Sequence, residues 1–313
     1  MKDVSLRTPI VYYLIIAITI LIAFLSVCLP SFINTYGILI AIVLIGGIGI
    51  PHGATDHLVF NYLSGNSICI TRKAKFYLSY IFSALVYAIF WYLFPSFSLV
   101  TFIIISIYHL GQSNLYYLSL PKNNIIKTWI YSSWGLFVVF APIISNSKEV
   151  IAILENFLGE NRISLENKEY FLLLIILLNS LIISVLFMFK YVTKKELLRE
   201  TLNLLVLSLL FYSAPLMVSF GVYFGLWHSL GSTFDQIQFI RRYDLQFNFV
   251  DFYLKSIPLT VISIAAFILS YLSLIHLNHF QKDLNLTISW FFIGLAAITL
   301  PHTIIRDRLY INN

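Results

Sequence analysis

The sequence predicts an all-α, polytopic transmembrane helix bundle of about ten spans, with both termini cytoplasmic. Three observations carry this. Of 313 residues, 59% are hydrophobic and only 11% charged, whereas soluble domains carry about 25% charged residues. The apolar residues come in runs of about 20, the length that crosses the hydrocarbon core as a helix. The basic residues sort to one side of those runs. With the N-terminus inside, only Lys148, Arg162, Lys168 and Lys282 of the 20 Lys and Arg fall outside, and cytoplasmic loops are where basic residues concentrate. The net charge of +6 therefore reflects topology and excludes a nucleic-acid partner.

The spans are expected at 10–29, 34–52, 76–95, 98–118, 126–144, 169–190, 200–213, 216–235, 253–275 and 287–304. Pro30 closes the first, and the second ends in the turn at Pro51–Gly53, since proline removes a backbone donor and ends or bends a helix. A tight turn at Pro95–Ser98 opens the fourth, and Pro215 precedes the eighth. The start, MKDVSLRTPIVYY, has no small-residue cleavage site after a short core and reads as a retained helix. Segment 146–168 is polar and is expected as a solvated loop, with a short surface helix as the alternative. Cys28 and Cys69 fall on opposite sides of the bilayer, so neither a disulfide nor a cysteine metal cluster is expected. No repeat or composition shift divides the chain, which reads as a single membrane domain, 1–313.

Polar groups at membrane depth are costly unless they have partners or work, so the histidines stand out. His276 and His279 lie in a loop and read as solvated. The others sit on four even-numbered spans: His52 and His57 in GGIGIPHGATDH, His109 in YHLGQSN, His228 in GLWHSLGSTFDQ and His302 in TLPHTIIRD. All four spans run outside to inside, so the imidazoles share the inner half of the membrane. Each alone is better explained as a hydrogen-bonded packing residue. Together they suit a metal, because neutral imidazole is its commonest protein ligand and favours iron, copper, zinc or nickel over magnesium or calcium. Asp56 and Asp235 are placed to orient a ligand imidazole. Gly46, Gly47 and Gly49 allow a helix or flat ligand to approach closely, or serve simple packing.

GIPHGATDH, ISIYHLGQSN, YFGLWHSLG and GLAAITLPHTIIRD resemble, in order and spacing, the signature segments of the Brp/Blh family of bacterial and archaeal β-carotene 15,15′-dioxygenases. The resemblance covers most of the chain. It implies cleavage of β-carotene, or a related carotenoid, at the central double bond by O2 to give retinal, at a non-haem Fe(II) held by four histidines. Three ligands carry over: His52, His109 and His228. The fourth does not. Where the family has H-S-x-R-H, this chain reads His228-Ser229-Leu230-Gly231-Ser232, and a hydroxyl is a poor ligand for ferrous iron. Three histidines with water suffice, or another group fills the position: His302 first, His57 second. Asn114 also stands where the family often has aspartate. No residue beyond the metal ligands is assigned to catalysis. The resemblance also implies a bilayer-dissolved substrate, an apolar tunnel for which Tyr108, Phe224, Trp227 and Trp290 are candidates, and hand-over of retinal to a rhodopsin in a bacterial inner membrane. The chief alternative is a carotenoid- or retinal-binding relative that has lost cleavage through Ser232. A haem protein is disfavoured by imidazoles at one depth, and a transporter by the lack of inverted repeats.

Overall fold

The computed structural model describes residues 9–65, 69–158, 168–276 and 284–311, and the regular structure among them is helical. Helix α1 (Pro9–Cys28) is followed by α2 (Pro30–Leu44), opened by a proline whose missing N–H costs nothing in a first turn. A π-helical stretch, Ile45–Gly49, leads into α3 (Ile50–Ala54), and Thr55 separates α3 from α4 (Asp56–Leu63). Then come α5 (Ile70–Leu93), α6 (Pro95–Leu115) and α7 (Asn124–Ser145), the last capped by the Asn123 side chain, which accepts from the Ile125 and Ile126 amides. Helices α8 (Ser147–Leu158) and α9 (Lys168–Met188) precede α10 (Lys194–Ser213). Thr193 and Glu196 exchange side-chain-to-backbone bonds across the start of α10, a capping box. Helix α11 (Leu216–Val222) passes through a second π stretch, Tyr223–Leu230, into α12 (Gly231–Arg241). Helices α13 (Phe249–His276) and α14 (Leu284–Ile311) follow.

Among the described residues, eight helices are long and apolar enough to cross a membrane, with Pro30–Leu63 counted as one. This is an integral membrane protein, with fewer clear spans than the ten expected. The two that drop out are α10 and the α11–α12 run. Both are helical, but they carry Glu200, Asn203, His228, Ser229, Ser232, Thr233, Asp235 and Gln236, all buried against protein. The second span also differs. Helix continues past Pro51 to Leu63. A proline ring clashes with the carbonyl four residues back, here that of Gly47, and the wider π turns at Ile45–Gly49 coincide with that point. Segment 146–168 begins as helix α8 where a loop was expected; residues 159–167 lie outside the described part.

The chain divides into two compact units. The first takes the described residues of Met1–Ile48, Ser106–Val150 and Ile163–Phe234. In it α1 packs on α10, α7 on α9, and α2 on α11, around Phe137, Leu207, Leu210, Phe211 and Trp227. Small residues set the approach of these helices. A Cβ on Gly221 would lie 2.7 Å from the Ala41 Cα, and one on Gly111 1.8 Å from the Tyr131 carbonyl oxygen. The fully buried Glu200 accepts from Tyr117 Oη and, at 3.0 Å, from Asn203 Nδ2, while Tyr12 Oη donates to Asn203 Oδ1 at 2.8 Å. Each such donor left unsatisfied would cost about 1–3 kcal/mol, so this cluster ties α1, the turn that follows α6, and α10 together. The second unit takes the described residues of Gly49–Ile105, Ile151–Arg162 and Asp235–Asn313. There α14 packs on α5 and α4, over Val59, Phe239, Ile240, Phe252 and Leu309.

The outward faces of both units are apolar: Leu173, Leu174, Leu177 and Leu181 on α9, and Leu254, Val261, Ile262 and Leu269 on α13, are all exposed. On a soluble protein so large an apolar face would be an aggregation hazard; here it meets lipid. Of the glycines in the second span, Gly37 permits close packing, since a Cβ there would lie 2.6 Å from Val218 Cγ2, whereas Gly46 and Gly47 do not. A Cβ on Gly46 or Gly47 meets nothing within 4 Å. Gly111→Ala is therefore expected to lower the thermal midpoint in detergent and broaden the gel-filtration peak, and Gly46→Ala to leave both unchanged. Equal behaviour of the two variants would show that the α6–α7 approach is not set by Gly111.

Candidate metal centre

Each unit holds one pair of buried histidines, and three of the four stand on or beside irregular helix. In the second unit, His52 sits on α3 directly after Pro51, and His302 on α14 directly after Pro301. Their exposures are 2% and 7%, and their rings meet edge to face with centroids 4.7 Å apart. Both prolines withhold an amide hydrogen, so each opens the helix one residue before its imidazole.

The two rings are held by different means. The Gln236 amide nitrogen lies 3.2 Å from His52 Nδ1 and donates to the His52 carbonyl at 3.1 Å. The Thr55 hydroxyl, at 2.8 Å from the same carbonyl, also reaches the Gln236 amide oxygen. His302 Nδ1 lies 2.8 Å from Asp56 Oδ2 and 3.0 Å from Oδ1. Asp56 is itself buried, at 3% exposure, and Oδ2 also accepts from Tyr80 Oη at 2.9 Å. An ionised carboxylate is acceptor-only, so His302 carries its proton on Nδ1 and presents the Nε2 lone pair. A carboxylate behind an imidazole is the usual support of a metal-ligating histidine.

In the first unit, His109 on α6 and His228 in the second π stretch are 3% and 4% exposed, with ring centroids 5.0 Å apart. Phe224, one turn before His228, lies at 5.5 Å. Trp227 donates from Nε1 to the Thr19 hydroxyl at 2.9 Å, which fixes the π stretch against α1. π-helical turns often mark functional positions, and both such stretches here adjoin or contain a buried histidine.

The remaining sequence candidates divide. Ser232 is fully buried. His57 is only half-buried; its Nδ1 lies 2.9 Å from the Ala54 carbonyl and its ring near Tyr77, not beside His52. His276 is exposed at the end of α13, and His279 lies outside the described residues. Of the proposed tunnel aromatics, Trp290 donates to Ser270 at 3.2 Å and Tyr108 accepts from Gln112 at 3.1 Å. Sequence reasoning missed Gln236 and Tyr80. Gln236 offered a signal, a polar residue beside Asp235 in an otherwise helical stretch. Tyr80 offered none among 20 tyrosines.

Buried imidazoles backed by a carboxylate and an amide have the donor chemistry of a site for a borderline transition metal. Comparison with known proteins gives that chemistry a context. The chain is similar to the β-carotene 15,15′-dioxygenase of an uncultured marine bacterium, 66A03, with 29% identity over 280 residues, 86% of this chain and 93% of the relative. No solved structure matches it at a significant level. The family profile described as β-carotene 15,15′-dioxygenase matches residues 40–310, which include all four buried histidines, and the chain therefore belongs to that family.

Proposed function

We propose that this protein cleaves β-carotene or a related carotenoid at its central double bond, with O2, into two retinals. In this reading the chain works as one membrane domain with both termini cytoplasmic, in a bacterial inner membrane. His52, His109, His228 and His302 hold a single Fe(II). The observation that carries the reading is the family match over residues 40–310. The donor set supports it: four buried imidazoles, with Asp56 directed to His302 Nδ1. His302 takes the role that falls vacant where Ser232 replaces the family's second histidine.

When bound, iron supplies the one-electron chemistry that lets ground-state O2 react with a closed-shell polyene. The chain supplies the rest. Burial keeps water away, and Asp56 and Gln236 hold two of the rings in one orientation, so that little reorganisation accompanies the reaction. Phe224, packed beside His228, offers an apolar wall to a polyene. The substrate is soluble in the bilayer core, and the lipid-facing helices give it direct access; retinal would leave by the same phase, to a rhodopsin. No acid or base is needed to break the carbon–carbon bond.

The second reading, a carotenoid-binding protein without cleavage, rests on Ser232 alone. Expression in carotenoid-producing bacteria separates the two. Bleaching with formation of retinal is expected; unchanged β-carotene in cells holding folded, iron-loaded protein would reject cleavage of that substrate. His52→Ala is expected to lose iron and retinal formation together, and full activity in that variant would remove His52 from the ligand set. The transfer of the fourth ligand has its own test. His302→Ala should lose at least ten-fold in iron affinity, and adding Ser232→His should restore part of it. A His302→Ala variant with undiminished iron would leave three histidines as the whole set.

A further inference from the structure

The residue that holds the His302–Asp56 pair in place is Tyr80. Nothing in the sequence motifs points to it: it lies on α5, 24 residues after Asp56, in an unremarkable apolar helix. Its hydroxyl donates to Asp56 Oδ2 at 2.9 Å, the oxygen that also lies nearest His302 Nδ1, at 2.8 Å. Its ring packs against Phe76, with centroids 5.8 Å apart, and Phe76 stacks on Phe60 at 4.4 Å. The tyrosine thus joins a fixed aromatic stack to a carboxylate.

An Asp carboxylate needs such a joint. Its terminal torsion is broad and roughly two-fold, with no sharp rotamer well to hold the plane. A single hydrogen bond to His302 leaves that plane free to turn, and the imidazole turns with it. A second donor on α5 removes the freedom. Asp56 opens α4 and His302 lies on α14, so the three residues bring three helices of one unit to one carboxylate.

Resting on the assignment of His302 as a ligand, we propose that Tyr80 is a positioning residue for it. Tyr80 fixes the Asp56 carboxylate in the plane that receives His302 Nδ1–H, and so aims the Nε2 lone pair. Tyr80 touches neither the metal nor the substrate.

The test is Co(II) titration of metal-free, full-length protein in detergent, read by the visible bands of the bound ion, with the thermal midpoint measured beside it. Tyr80→Phe, which removes one oxygen atom, is expected to weaken Co(II) by about ten-fold and shift the bands. Tyr77→Phe, three residues away with its ring by His57, is expected to match the wild type. Asp56→Asn should weaken Co(II) at least as much, and Tyr80→Phe added to it should cost nothing further, because both act through one hydrogen bond. That cycle carries the proposal if Tyr80→Phe alone is recovered poorly. A Tyr80→Phe protein with wild-type affinity and bands, or with only a lower midpoint, would assign Tyr80 to packing and overturn the proposal, leaving the ligand set standing. A wild-type protein that takes up no Co(II) would overturn the ligand set and this inference together.

Discussion

A polar group in hydrocarbon has to be answered by protein, and that constraint organises this molecule. Water is not there to do it, so each unmet group costs several kcal/mol. Two of the three buried carboxylates among the described residues show the rule at work. Glu200 is met by Tyr117 and Asn203, and Asp56 by Tyr80 and His302. Each carboxylate draws at least one donor from a part of the chain distant in sequence, Tyr117 for Glu200 and Tyr80 and His302 for Asp56. Leaving a buried polar group without its partner costs about 1–3 kcal/mol, and more for a charged group, so these clusters fix which parts of the chain must meet. In the second unit the same demand gives one imidazole a defined tautomer. Stability and the proposed chemistry therefore rest there on a single carboxylate.

Backbone irregularity follows from the same economy of space. Pro51 and Pro301 each sit immediately before a buried histidine, and the π turns at Ile45–Gly49 and Tyr223–Leu230 lie before one and around another. Such turns re-aim a side chain without breaking the helix, which a lipid-exposed loop could not do. Glycine does a separate job. Gly111, two residues after His109, lets α6 reach the backbone of α7 at Tyr131. His109 thus stands on a helix whose position is set by a contact that tolerates no side chain.

Hydropathy made most of the helices legible, because a lipid-facing helix must be apolar along its length. It misjudged those whose polar residues turn inward. Hydropathy places the start of the seventh span at 200, whereas Thr193 and Glu196 form a capping box that starts α10 at Lys194. The stretch after Pro51 was expected to leave the helix; a wider turn absorbs the proline instead, which no local pattern announces. The histidines were legible as a group, since each is an anomaly at membrane depth. Their supports were less so. Asp56 was visible as a second polar residue in the same motif, whereas Tyr80 and Gln236 became visible only in three dimensions, because a tyrosine or glutamine reads as a supporter only once its neighbour is known.

In the proposed reading the chain keeps the family scaffold and fills one ligand position from elsewhere. A replacement imidazole with a carboxylate behind it is better prepared to bind a metal than the serine that stands in the family's place. That preparation is why we read the protein as an enzyme and not as a passive carotenoid carrier. The claim at the centre is that the two histidine pairs serve one ion. X-ray absorption at the iron edge of the purified, iron-loaded protein tests it most directly, by counting imidazoles around the metal. The account predicts four; a count of two or fewer would mean that the pairs act separately, and would contradict it.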